Sequence, residues 1–365
     1  MARRVVTPSE TMSERIERVL FSALDAMTFD EIIDVRAPEE YGIDHITGAI
    51  NLPVLQDEER VRVGTLHHQQ GPFDARKVGA GLVAANISMH LEKHFFEKPK
   101  GYRPVIYCWR GGQRSRSLAT VLCEVGWRPI VLEGGYKNYR SHVIEAIETM
   151  APQFRWHVLN GYTGSGKTLI LKALMARGAQ VLDLEGLANH KGSLFGGDLE
   201  CPQPLQKRFE TLIHDQLRSF SPDRLIFVEA ESPKIGHANI PAALWHAIRN
   251  GPVTEILSPV EARAHYLYGD YDSWIMDSDR ILATIERLRP FHSAAQIDQW
   301  KRQCQDAAWE PLIHGLLTEH YDKRYGSAGT GHYGMPEKTY PLANQSESAI
   351  AACSDWLMKN VDEVD

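Results

Sequence analysis

Apolar residues come mostly in short unbroken runs, each followed by a turn signal and then by residues at helical spacing. In the first part of the chain these runs are Ile32-Ile33-Asp34-Val35, Ala49-Ile50-Asn51-Leu52, Val105-Ile106-Tyr107 and Pro129-Ile130-Val131-Leu132. Continuous runs without alternation predict strands buried on both faces, as in a parallel sheet covered by helices. Helical spacing is expected over residues 12–27, from Pro38 onward, over two segments within 57–100 divided at Gly71-Pro72, and over 115–125. Proline followed by Glu39 and Glu40 suits a first helical turn. A last helix and a short linker occupy 141–152, with Pro152 as punctuation. A second series then begins with strand 156–160, a glycine loop and helix 167–177. Further buried strands are expected at 180–184, 224–229 and 253–257, a mostly helical stretch from 259 to 325, a flexible loop at 327–337, and a final strand and helix. Strands alternating with helices give an α/β fold class, here in two parallel-sheet domains, residues 1–146 and 152–365, the second with a helical C-terminal part.

At 365 residues the chain has the length of about two domains. Hydrophobic content of 43% and charged content of 24% are those of a soluble globular protein. Five cysteines, at 108, 123, 201, 304 and 353, form no CxxC pair, which argues against a disulfide framework or structural zinc and for a reducing, cytoplasmic setting. The charged N-terminal residues have no apolar run behind them, and no segment is long and apolar enough for a membrane span, so neither export nor membrane association is expected. Net charge is −7, yet nine Lys/Arg against two acids give residues 98–140 a charge of +7 and leave −14 for the rest. Such a window either captures a polyanion through Lys98, Lys100 and Arg103 or gathers arginines around one small anion.

Two short segments carry chemistry. Cys108-Trp109-Arg110-Gly111-Gly112-Gln113-Arg114-Ser115 follows a buried strand and opens a helix. Loop amides, the helix N-terminus and the charges of Arg110, Arg114 and Arg116 would converge on the Cys108 sulfur, surroundings that favour a thiolate or a bound anion. Trp109 is either a stacking surface for a base or a packed core residue. Cys123 lies on the apolar helix face and, like Cys201, Cys304 and Cys353, reads as a core residue.

The second segment is Gly161-Tyr162-Thr163-Gly164-Ser165-Gly166-Lys167-Thr168, which fits GxxxxGK[ST] after a strand and before a helix. The amides of Gly161, Gly164, Ser165 and Gly166 would cradle phosphates, Lys167 reach terminal oxygens, and Thr168 ligate Mg²⁺. Glu229 ends a strand where a second metal-binding acid usually stands, with Glu231 and Asp183 as further candidates. The glycine-rich segment 183–197 crowds polar side chains at the end of a strand, where α/β sheets bind ligands.

The N-terminal half resembles the rhodanese family through Asp34-Val35-Arg36-Ala37-Pro38-Glu39-Glu40-Tyr41, His45-Ile46-Thr47-Gly48-Ala49-Ile50-Asn51-Leu52-Pro53, the Cys108 loop and Leu132-Glu133-Gly134-Gly135-Tyr136. That resemblance implies a rhodanese-like parallel sheet in which Cys108 accepts a chalcogen atom. Asp44 replaces a usual glycine, and five residues separate Cys108 from Arg114, one more than sulfurtransferase members usually have, which implies a bulkier anion. Fused to a P-loop NTPase-like domain bearing Asp183-Leu184-Glu185-Gly186-Leu187-Ala188-Asn189-His190-Lys191-Gly192-Ser193 and Glu231-Ser232-Pro233-Lys234-Ile235-Gly236, the whole resembles the bacterial tRNA 2-selenouridine synthase family. The resemblance implies replacement of sulfur by selenium in wobble 2-thiouridine of tRNA, with selenophosphate and geranyl diphosphate as co-substrates, no tightly bound cofactor, and a selenophosphate-producing enzyme as supplier. Two other readings of the same residues are an ATP-dependent sulfurtransferase and a non-catalytic phosphate-sensing RNA-binding module.

Overall fold

The computed structural model describes residues 16–191, 196, 202–270, 277–325 and 332–361. The chain divides into two compact units, Met1–Ala146 and Ile147–Asp365.

The first unit is built on a five-stranded sheet: β1 (Glu17–Val19), β2 (Ile32–Asp34), β3 (Ala49–Asn51), β4 (Val105–Tyr107) and β5 (Ile130–Leu132). Their order is β1-β5-β4-β2-β3, and every pairing is parallel. Two of the three inner strands, Val105-Ile106-Tyr107 and Ile130-Val131-Leu132, are almost wholly inaccessible, as in a sheet covered on both faces. Ile33, Val35, Phe95, Ile106, Leu118, Leu122 and Val131 join in one core. The expected helices are Pro38–Ile43, Asp57–Gln69, Pro72–His90 and Gln113–Val125. Pro72 opens its helix, where a missing amide costs nothing.

One expectation fails. Of the helix predicted over 12–27, residues 12–15 lie outside the described residues, and the rest is strand β1 and a 3₁₀ turn, Phe21–Ala26. Pairing of Glu17, Arg18 and Val19 with Ile130, Val131 and Leu132 overrides the local helical spacing.

The second unit contains β6 (Arg155–Asn160), β7 (Gln180–Leu182), β8 (Leu225–Glu229), a two-stranded antiparallel pair β9 (Lys234–Ile235) and β10 (Ala238–Asn239), β11 (Val253–Leu257) and β12 (Lys338–Pro341). The main sheet runs β12-β11-β6-β8-β7, again entirely parallel. From central β6 the chain crosses over β8 to β7 on one side and later to β11 on the other. Ligands in open α/β sheets bind at such a switch point, beyond the carboxyl ends of the strands. The predicted helical stretch contains helices Val260–Asp270, Ser278–Glu286, Ala294–Gln305 and Trp309–Leu316, which share a core around Ile285, Ile297, Trp300 and Leu312. Of the loop expected at 327–337, residues 327–331 lie outside the described residues. Among the described residues no helix is long and apolar enough to cross a membrane.

Candidate active sites: a cysteine loop and a phosphate loop

Strand β4 delivers Cys108 to the carboxyl end of the first sheet, and the helix Gln113–Val125 starts five residues later. The Gly112 amide donates to Cys108 Sγ at 3.2 Å, and Ser115 Oγ lies 3.3 Å from the same sulfur. An amide, a hydroxyl and the positive end of a helix therefore surround Sγ. Cys108 is 3% exposed, while Arg110 and Gln113 of the same loop are open to solvent and Trp109, Gly111 and Gly112 are half-buried. The sulfur is the floor of this loop rather than part of its rim.

The loop is fastened by the turn after β5, which sequence reasoning noted only as a motif. Tyr136 N donates to Cys108 O at 2.8 Å and Lys137 N to Trp109 O at 2.9 Å. The two backbones approach so closely that only glycine fits at Gly135. Its φ is +58°, and a Cβ there would lie 2.2 Å from Cys108 O and 2.5 Å from Gly111 N. The Tyr136 hydroxyl donates to Asp44 Oδ2 at 2.8 Å, so the carboxylate that departs from the family pattern braces the clamp. Arg36 packs its guanidinium 3.8 Å from the Tyr136 ring, pairs with Asp34 at 2.6 Å and donates to Asp44 O.

Of the proposed catalytic arginines, Arg110 is exposed and Arg114 turns aside. Arg114 Nη1 donates to Glu40 Oε2 at 2.6 Å, and Arg60 reaches the same oxygen at 2.9 Å. Burial alone would raise the Glu40 carboxyl, but the bond and charge of Arg114, with Arg60, hold it below its usual range. Arg114 thus anchors the helix Gln113–Val125 against the Pro38–Ile43 turn.

Part of the positive charge counted along 98–140 is paired in the fold. Lys98 pairs with Glu31 at 2.9 Å, and Arg103 pairs with Glu17 at 2.6 Å while donating to Thr28 O. Both acids lie outside the 98–140 window, so counting charge along the sequence overstated the local positive field. Lys100 is exposed. Trp109 is half-buried, its ring 5.3 Å from Tyr136 and tilted by 38°, so neither the packed core nor a free stacking platform describes it.

In the second unit the loop Gly161 to Thr168 joins β6 to the helix Lys167–Ala176. Gly164 and Gly166 have φ of +80° and +86°, and a Cβ on Gly161 would meet Ser165 Oγ at 2.7 Å and Ile256 O at 2.8 Å. Lys167 Nζ donates to Gly161 O at 2.9 Å, which folds its ammonium back across the loop mouth. Thr168 Oγ1 donates to Glu185 Oε2 at 3.3 Å. The acid beside Thr168 is therefore Glu185, which the sequence did not single out. Asp183 caps the short helix Leu184–Ala188 through Gly186 N at 2.7 Å. Glu229, 2% exposed, accepts from Glu185 N at 2.8 Å and keeps Oε2 without a partner.

Glu185, Glu229 and Glu231 form one cluster beside Lys167. Burial raises all three carboxyls; Asp183 and Glu185 push Glu229 up further, whereas Lys167 pulls Glu185 and Glu231 down. Glu229 and Glu231 are thus both raised well above the usual carboxylate value, burial being the main cause.

Two residues missed in the sequence steady the phosphate loop. Buried Arg263 donates to Thr163 O at 3.1 Å, pairs with Asp322 at 2.7 Å and lies 5.1 Å from the Tyr162 ring. Gln345 Nε2 donates to Gly164 O at 3.1 Å and to Ser258 Oγ at 2.9 Å. Neither carries a local signal, since each acts across 100 or more positions. Cys304 and Cys353 are buried, and burial pushes both thiols up, Cys353 to about 12, as core residues require. Cys123 packs half-buried against the first core, and Cys201 lies outside the described residues.

Comparison with known proteins follows the same division. A rhodanese-like domain family matches residues 20–142, and the tRNA 2-selenouridine synthase AAA domain family matches residues 154–283. A tRNA 2-selenouridine synthase of Sulfurovum sp. (strain NBC37-1) is 36% identical over 323 residues, 80% of this chain and 87% of that protein. Those of Bdellovibrio bacteriovorus and Nitrosomonas europaea are 38% and 35% identical over 66% of this chain, and the matches span 64% and 63% of their lengths. Among solved structures, the N-terminal domain of a putative ATP/GTP binding protein from Clostridium difficile 630 is 36% identical over 35% of this chain and 98% of that one, with a TM-score of 0.30. With a cysteine-loop domain and a phosphate-loop domain in the same order, and this identity over most of the Sulfurovum protein, the chain belongs to the tRNA 2-selenouridine synthase family.

Proposed function

We propose that the protein replaces sulfur by selenium in the wobble 2-thiouridine of tRNA, through an S-geranylated intermediate. The observation that carries this reading is the phosphate loop itself, where the Lys167 ammonium folds across the loop mouth and Thr168 stands beside Glu185, a site equipped to hold a diphosphate. In the first step the 2-thio sulfur attacks C1 of geranyl diphosphate. The diphosphate leaves with the C–O electron pair, and the base gives up its N3 proton. Lys167, Thr168 and the loop amides bind the departing diphosphate and spread its charge.

Alkylation converts a poor leaving group into a good one. The selenium of selenophosphate then bonds to C2, geranylthiolate leaves with the C–S pair, and water cleaves the Se–P bond to release phosphate. The Cys108 loop serves this second step, since its amide and helix terminus suit a selenium-bearing anion. A selenophosphate-producing enzyme supplies the donor. Mg²⁺ would be held at Thr168, with Glu185 beside it, and would neutralise charge on the diphosphate.

Thiolated tRNA is incubated with the protein, geranyl diphosphate and selenophosphate, each omitted in turn, and its nucleosides are weighed by mass spectrometry. Geranylated nucleoside without selenophosphate, and selenated nucleoside only with both, is the expected result. An absolute requirement for ATP rejects the diphosphate assignment in favour of the ATP-dependent sulfurtransferase.

A further inference from the structure

Immediately beside the phosphate loop, at the carboxyl ends of β11 and β12, lies a cavity of about 410 Å³. Its wall begins with Tyr162 of the loop itself and continues through Leu257, Pro259, Pro341, Leu342 and Ala343. Leu257 is 42% exposed, and Pro259, Pro341 and Ala343 are exposed too, whereas Leu342 is buried. Apolar side chains left at the surface around one concavity mark a ligand site more often than scattered exposure does.

Besides Tyr162, the wall has two polar residues, and both are held by the protein. Ser258 Oγ takes the Gln345 amide, and the Arg263 guanidinium is held by Asp322 and Thr163 O. Arg263, only 4% exposed, keeps its Nε–H without a protein partner. Its side chain both bonds to the phosphate loop at Thr163 O and lines the cavity. A ligand that is anionic at the loop and apolar beyond it satisfies both halves.

We infer that this cavity binds the apolar chain of the diphosphate ester whose diphosphate lies in the Gly161–Thr168 loop, a chain of prenyl size. The inference rests on the proposed use of that loop for a prenyl diphosphate, and adds where the carbons go. The volume is within the range of small-molecule pockets. Each buried carbon multiplies affinity about fourfold, so a chain even partly enclosed outweighs its diphosphate by well over ~10-fold.

The test measures dissociation constants for inorganic diphosphate and for dimethylallyl, geranyl and farnesyl diphosphates on the full-length wild-type protein and on Lys167→Ala, Ala343→Trp and Leu257→Asp. Ala343 and Leu257 are exposed, so neither change burdens the core, and inorganic diphosphate binding reports a folded loop. Wild type should prefer geranyl over inorganic diphosphate by about 10-fold or more. Ala343→Trp should shift the preference toward the dimethylallyl ester, Leu257→Asp should abolish it, and both should leave inorganic diphosphate binding unchanged. Wild-type chain-length preference in both variants overturns the cavity assignment alone. Inorganic diphosphate that binds neither wild type nor in a Lys167-dependent way overturns the parent reading, and the cavity falls with it.

Discussion

Gly135→Ala isolates what holds the cysteine loop. The added Cβ would sit 2.2 Å from Cys108 O and 2.5 Å from Gly111 N, both backbone atoms that no rotamer change can move. Adopting φ of +58° costs alanine about 1–2 kcal/mol. Relieving the contact separates the helix Gly135–Met150 from the loop and breaks the bonds from Tyr136 N to Cys108 O and from Lys137 N to Trp109 O. Each is worth about 1 kcal/mol, so the total is about 3–4 kcal/mol. Gly126→Ala is the control: its φ is +106° but its Cβ would meet nothing within 4 Å, so it carries the conformational cost without the collision.

Stability of a two-unit chain is best read locally, by hydrogen exchange followed by mass spectrometry. Gly135→Ala should lose protection at Tyr136 and Lys137 and in the loop after β4, and Gly126→Ala should retain it. Selenation should fall with the loop, while geranyl transfer, assigned to the other unit, should persist. A Gly135→Ala protein within about 1 kcal/mol of Gly126→Ala, with protection intact, refutes the clamp.

Cys108→Ala should abolish selenation and spare geranylation, measured by nucleoside mass spectrometry; equal loss of both rejects the division of labour. Lys167→Ala removes a charge-assisted contact to the diphosphate and should raise the KM for geranyl diphosphate about 10- to 100-fold, with selenation of pre-geranylated tRNA unchanged. Glu229→Gln keeps an acceptor for Glu185 N but removes a titrating group whose folded pKa lies above the ordinary 4.5. Wild-type stability tied to that proton is complete below the unfolded value and is lost as pH rises toward the folded one. The variant should therefore match wild type near pH 4 and exceed it at pH 7 in urea midpoint; a variant less stable at pH 7 contradicts a protonated Glu229.

Much of the fold could be read from the chain because its strands are buried on both faces. Val105-Ile106-Tyr107 and Leu225-Ile226-Phe227-Val228 have no polar alternation to confuse them with surface elements. Strand β1 had no such signal. Its three residues, Glu17, Arg18 and Val19, are mostly exposed and become a strand only because β5 offers them an edge. Charge failed for a related reason. Lys98 and Arg103 look free along the chain, but the fold brings Glu31 and Glu17 to them from more than 60 positions away.

The same contrast separates what was legible in the two sites. Each loop announces itself, because phosphate and thiolate chemistry need glycines and a helix start in fixed sequence order. What holds each loop does not, because it arrives from elsewhere through backbone atoms. The turn at Gly135 seats on Cys108 O and Gly111 N; Ile256 O closes on Gly161; Gln345 closes on Gly166 and takes Gly164 O. At Gly135 above all, the glycine is required by backbone atoms distant in sequence and not by the turn alone. At Gly135 the conformational need would be met by a left-handed-tolerant residue such as asparagine, but a Cβ 2.2 Å from a carbonyl would not be accommodated. Asparagine at Gly135, where φ is +58°, should thus be as damaging as alanine, which distinguishes close approach from turn geometry as the reason this position is glycine.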